Sequence, residues 1–159
     1  MAREKEIEID TRLGRRLIDP EKIIHFPRGL AGFEDEHDFI LLQLRPDAPM
    51  LILQSVGNPK VGLLVADPYS FLPDYSVRAD DAEKKLLKIS REEDASILVT
   101  VSIPPGMPQD AALNLTGPIF INHREHIGLQ IPQGFEGIGQ VRLHDLSEGS
   151  QASPTEEVK

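Results

Sequence analysis

Thirteen prolines cut this chain into apolar runs of four to eight residues, too short to supply the long helices of a bundle. Runs of that length, bounded by Pro, Gly, Asn and Asp, read as strands. Residues 6–10 (Glu-Ile-Glu-Ile-Asp) alternate with period two, as a half-buried strand does. Residues 23–26 follow, closed by the turn signal Pro27-Arg28-Gly29. Residues 39–44 and 50–56 are two apolar runs divided by the break between Pro46 and Pro49. Residues 61–66 sit between Asn58-Pro59 and Asp67-Pro68 and suit a buried strand. Residues 96–103, rich in β-branched side chains, give the strongest strand signal. Residues 118–122, 127–131 and 141–144 complete the series.

One helix stands out. Asp80 is placed to cap it, Glu83 is the capping-box partner three residues on, and residues 82–87 are good helix formers. Ser90 to Glu93 caps a further turn, and residues 34–38 are predicted as a short helical turn. The pattern predicts an all-β, mostly antiparallel fold: a small barrel-like or sandwich domain with one or two short helices. Residues 1–146 read as a single β-rich domain. Residues 147–159 are polar, lack apolar periodicity and are predicted to form a disordered tail.

Composition narrows the function. At 159 residues and 40% hydrophobic, the chain buries a real core without staples. Its 26 acidic and 17 basic side chains leave a net charge of −9. That sign argues against direct binding of nucleic acid, which needs a cationic surface to release counterions. It argues equally against anionic membrane surfaces, and it permits a cationic protein partner. No cysteine is present, which excludes disulfides, thiol nucleophiles and zinc-thiolate sites. The N-terminal residues are charged rather than a signal segment, and no apolar run approaches the ~20 residues that span a bilayer. A cytoplasmic location is expected.

Catalytic and metal-binding patterns are weak throughout. His123 and His126 lie in Asn-His-Arg-Glu-His, one residue short of an inverted zincin motif, in a segment that reads as a turn between strands. Ser55 and Ser102 have no His and acid at suggestive spacing. Gly134, Gly137 and Gly139 lack the strand-to-helix setting of a phosphate cradle. No catalytic residue, metal ligand or cofactor is expected, and the chain reads as a protein-binding module rather than an enzyme. A small β-barrel hydrolase or sugar-binding domain is the alternative; a pocket where carboxylates and a histidine converge would favour it. Residues 31–50 carry five acids (Glu34, Asp35, Glu36, Asp38, Asp47) against one base, Arg45. That cluster reads either as a solvated face or as a docking surface.

Five elements taken together are more specific. They are residues 26–34 (Phe-Pro-Arg-Gly-Leu-Ala-Gly-Phe-Glu), Leu53-Gln54-Ser55, residues 66–75 (Ala-Asp-Pro-Tyr-Ser-Phe-Leu-Pro-Asp-Tyr), residues 114–122 (Asn-Leu-Thr-Gly-Pro-Ile-Phe-Ile-Asn) and Gly128-Leu129-Gln130. In this order the chain resembles the flagellar assembly factor FliW family. The resemblance implies a cytoplasmic, non-enzymatic regulator that binds flagellin. It also implies binding to the carbon storage regulator CsrA, relieving repression of flagellin translation. Two departures stand out: Arg78 lies where the family commonly carries an acid, and the closing region differs.

On this reading the partner-binding residues are Asp35 and Glu36 in the acidic cluster, then Phe71, Leu72, Pro73, Asp74 and Tyr75, with Arg78 beyond. A Pro-rich loop with two aromatics is hard to bury whole, so structural and binding roles both stay open for residues 71–75. Gly29 and Gly32 are expected to permit tight turns, with Phe26 and Phe33 plugging one end of the core.

Overall fold

The computed structural model describes residues 6–43, 49–134 and 140–143. The strands are β1 (Ile7–Thr11), β2 (Gly14–Ile18), β3 (Ile24–His25), β4 (Asp38–Gln43) and β5 (Met50–Ser55). After β6 (Gly62–Ala66) comes the helix α1 (Asp81–Leu87), then β7 (Ser96–Ser102), β8 (Ala112–Asn122), β9 (Ile127–Gln130) and β10 (Gln140–Arg142). Seven strands close a barrel in the order β8-β7-β6-β5-β4-β3-β9, with β9 returning to β8. All neighbours are antiparallel except β3 and β9. The all-β expectation holds, and the architecture is a barrel rather than a sandwich.

Closure depends on β8. Its eleven residues pair β7 along one side, while its second half pairs β9 and its first half pairs β10. The β7–β8 register slips between Leu98 and Thr100: Ile119 lies opposite Leu98 and Asn114 opposite Thr100. The extra β8 residues form a bulge around Gly117-Pro118. A proline without an N–H is tolerated there because the ladder is already broken.

Burial follows strand alternation. Phe26, Phe39, Leu53, Val65, Leu98, Ile119 and Ile121 fill the barrel. Phe26 meets Phe39 edge-on at 5.3 Å, and it packs against Gly128, where a Cβ would come within 2.3 Å of the ring. Neighbouring residues on β7 point the other way. Val99 and Val101 join Leu113 and Leu115 in a second cluster covered by Phe71, Leu72 and Tyr75. Ile97, Phe120 and Leu129 form a third beneath Leu87 and Ile89. Both faces of β7 are therefore covered at Ile97, Leu98 and Val99, which explains that consecutive apolar run.

The helix starts as its sequence predicts. Asp80 accepts the Glu83 N–H at 2.7 Å and Glu83 accepts the Asp80 N–H at 2.8 Å, completing a capping box. Lys88 ends it in the left-handed region, at φ 60°.

Three expectations need correction. Strand β2 is absent from the sequence reading, because Gly-Arg-Arg-Leu-Ile shows neither alternation nor an apolar run. Strand β8 begins at Ala112, not residue 118. Residues 34–38 make no helix: a single turn closed by Glu36 N–H to Phe33 O (3.1 Å) leads directly into β4. The second helical turn is a three-residue 3-10 segment, Glu92–Asp94. The predicted tail, 147–159, lies outside the described residues.

Candidate functional site

The two halves of the predicted binding set occupy different ends of the barrel. Asp35 is exposed in the connection entering β4. Glu36 is half-buried and committed internally. Ser55 Oγ donates to one carboxylate oxygen at 2.7 Å, and Asn58 Nδ2 donates to the other at 3.3 Å. The Asn58 N–H returns to Ser55 Oγ at 3.1 Å, so Glu36 organises the β5–β6 turn, beside the Gly62 end of β6. The segment carrying residues 71–75 leaves from Ala66, at the other end of that strand.

That segment is a strap over the outer barrel face. Asp67 caps a 3-10 turn, Pro68–Ser70, by accepting the Tyr69 N–H at 2.9 Å. Phe71 and Leu72 then turn inward, half-buried against the cluster of Ala66, Val99 and Leu115. Pro73 and Asp74 remain exposed. Tyr75 donates its hydroxyl to Leu115 O at 2.7 Å. Burial, and then the nearby Tyr69, push its phenol pKa up to about 12. Arg78 has an exposed side chain, while its backbone is held by Gln133. The Gln133 side chain accepts the Arg78 N–H and donates to the Arg78 carbonyl, both at 2.9 Å.

Sequence reasoning missed an open cleft of about 630 Å³ at one end of the barrel. Leu41, Leu51 and Leu98, from the barrel interior, form its floor, and Tyr69 forms part of its wall. Asp67, Glu92, Glu93 and His123 stand around it. These residues come from separate segments, so no spacing in the sequence announces them. The acids do not converge on a reacting centre. Asp67 is used as the turn cap. Glu92 accepts the Ala79 N–H at 3.1 Å and faces Lys84 Nζ at 4.0 Å. Among the described residues no three His, Asp or Glu side chains are grouped to hold a metal ion, and no helix is long and apolar enough to cross a membrane.

A second cleft, of about 420 Å³, lies between the residue 28–34 loop and the β8 bulge. Gln130 builds its wall. Its side-chain oxygen accepts the Ala31 N–H at 2.8 Å and its amide nitrogen donates to Gly117 O at 2.9 Å.

Fold and clefts together define a small closed, mostly antiparallel β-barrel, strapped and helix-covered on its outer face, with an acid-lined apolar mouth. The profile of the FliW protein family matches residues 8–140. The flagellar assembly factor FliW of Desulfovibrio desulfuricans is 60% identical over 166 aligned residues, covering 98% of this chain and all of that protein. The protein of the same name from Nitratidesulfovibrio vulgaris is 65% identical over 133 residues, covering 84% of this chain and 77% of its own. A crystal structure of the flagellar assembly factor FliW superposes with a TM-score of 0.74 at 31% identity, over 86% of this chain and 94% of that one. The chain belongs to the FliW family, a family of flagellar assembly factors rather than of enzymes.

Proposed function

We propose that this protein is a flagellar assembly factor that binds flagellin and, when flagellin is drained away, binds and antagonises the carbon storage regulator CsrA. The observation that carries the reading is the 60–65% identity to flagellar assembly factors over most of their length. The control is competition by mass action: flagellin occupies the factor, and its removal frees the factor for the regulator. By binding the regulator, the factor relieves repression of flagellin translation in the cytoplasm.

The net charge of −9 favours a basic, RNA-binding regulator through steering and complementarity. The mouth cleft adds an apolar floor beside Asp67, Glu92 and Glu93, which suits an apolar side chain flanked by cations. The decisive experiment is calorimetry with each purified partner at low and high salt, followed by competition. Both partners bind and exclude one another, and the regulator's affinity falls with salt more steeply than flagellin's. Absence of binding by either partner at tens of micromolar overturns the reading.

A further inference from the structure

The cleft between the residue 28–34 loop and the β8 bulge is separate from the barrel mouth, and its polar groups are incompletely used. Arg28 lines it with no hydrogen-bond or ion-pair partner among the described residues. Glu34 lines it too, but one carboxylate oxygen takes the Gly32 N–H at 3.2 Å, leaving the other oxygen with its acceptor capacity. Thr116 presents an exposed hydroxyl. Thr100 Oγ1 already accepts from Asn114 Nδ2 at 2.9 Å, so its own proton remains to donate. Pro132 supplies exposed apolar surface beside these groups, while Leu30 beneath the cleft belongs to the barrel core.

The cleft is built rather than incidental. Gln130 ties the loop to the bulge, and Gly117 leaves room for that amide: a Cβ there would lie 3.0 Å from Gln130 Nε2. Gly29 brings the loop back sharply at φ 65°, which places Arg28 and Glu34 around one opening. Arg28 and Glu34 line the same cleft without pairing, so together they can take a ligand bearing both an anion and a donor.

We propose that this cleft binds a peptide carboxylate together with the amide N–H beside it. The carboxylate lies on Arg28 and the threonine hydroxyls, and the N–H lies on the remaining oxygen of Glu34. A planar guanidinium matches a carboxylate in two parallel hydrogen bonds. The apolar stem of the ligand covers Pro132. The proposal does not depend on which protein partner is bound elsewhere.

The test is NMR titration of the ¹⁵N-labelled full chain with three probes. These are N-acetyl-Ala-Leu with a free C-terminus, the same peptide amidated, and N-acetyl-glutamic acid N-methylamide. At millimolar concentration the free peptide shifts the amides of Gly29, Ala31, Gly117 and Gln130, and amidation weakens it at least fivefold. The glutamate probe decides the source: binding as tight as the free peptide marks internal acidic side chains as ligands, and weaker binding marks chain ends. Arg28→Gln, at an exposed position, weakens the free peptide at least fivefold, and Thr116→Val weakens it to a lesser degree. Equal binding of free and amidated peptides, unchanged binding by Arg28→Gln, or shifts confined to other parts of the barrel would each overturn the proposal.

Discussion

Gln54 reaches across 42 positions of sequence to accept the Arg12 backbone N–H at 3.0 Å. It is fully buried, and its amide nitrogen donates to Ser55 O at 3.1 Å and Val61 O at 3.1 Å. The Asn58 and Pro59 carbonyls lie slightly farther, at 3.3 Å. One side chain thus closes the β5–β6 turn and fastens the β1–β2 hairpin to the barrel. Arg12 adds a guanidinium bond to Gly62 O at 2.9 Å. A two-stranded hairpin is marginal by itself in water, so these anchors decide whether it is ordered.

Replacing Gln54 by Leu keeps a similar volume and removes every bond made by the Gln54 amide, leaving the Arg12 guanidinium on Gly62 O. The variant loses about 1–3 kcal/mol of stability, because the Arg12 N–H loses its acceptor, while Val61 O and Asn58 O keep the Ser55 and Val61 N–H groups. Hydrogen exchange accelerates through β1 and β2 more than elsewhere. Unchanged protection of the hairpin relative to wild type would contradict the anchoring role.

Asp35 and Glu36 are adjacent but predicted to respond differently. Asp35→Lys leaves the melting temperature within about 1 °C, as exposed substitutions usually do. Glu36→Lys loses about 1–3 kcal/mol, since Ser55 and Asn58 lose their acceptor and meet a cation. Thermal denaturation of the two variants side by side decides this. Equal stability would show that the turn does not need the carboxylate. Only Asp35→Lys therefore gives a clean test of slower association with the basic regulator.

Phe71 is half-buried in the strap, so Phe71→Ala is first a stability variant. Loss of its packing on the outer face costs about 1–3 kcal/mol, less than for a fully buried phenylalanine. Urea denaturation measures it. A midpoint indistinguishable from wild type would return the ring to the role of an exposed binding anchor.

Tyr75 titrates late. Its folded pKa, about 12, lies above the ordinary 10.0 because burial disfavours the phenolate. The stabilisation from the neutral, hydrogen-bonded phenol is intact below pH 10 and is lost as pH rises through about 12. Ultraviolet absorbance of tyrosinate shows this late step in the wild type, and Tyr75→Phe removes it. Tyr69 is raised as well, by burial first, so a normal titration near pH 10 by both rings would refute the arrangement.

Gly29 and Gly32 both have positive φ, 65° and 84°, but different surroundings. A Cβ on Gly29 would sit 2.7 Å from the Glu34 backbone, whereas none of the surrounding atoms lies within 4 Å of one on Gly32. Gly32→Ala therefore costs only the left-handed strain, about 1–2 kcal/mol. Gly29→Ala costs more, because backbone must move. Comparable melting temperatures for the two variants would show that the turn is softer than its geometry indicates.

Local rules settled much of this protein in advance. Proline spacing and β-branched runs determined that it is built of strands, and Asp80 with Glu83 determined where its helix begins, because caps and alternation act over a few residues. The Gly29 and Gly32 turns, with Phe26 and Phe33 packed at one end of the core, belong to the same class. Tertiary structure alone decided the rest. Strand β2 exists because β1 and the Gln54 anchor hold it, not through its own pattern. The bulge that lets β8 close the barrel depends on two partner strands at once. The acidic cluster separated into an exposed Asp35 and a committed Glu36 only when Ser55 and Asn58 folded beneath it. The aromatic strap turned its rings onto the barrel's outer face because that face was apolar and open to them. Both clefts join residues from distant segments, and such proximity is set by long-range packing, which no local pattern encodes.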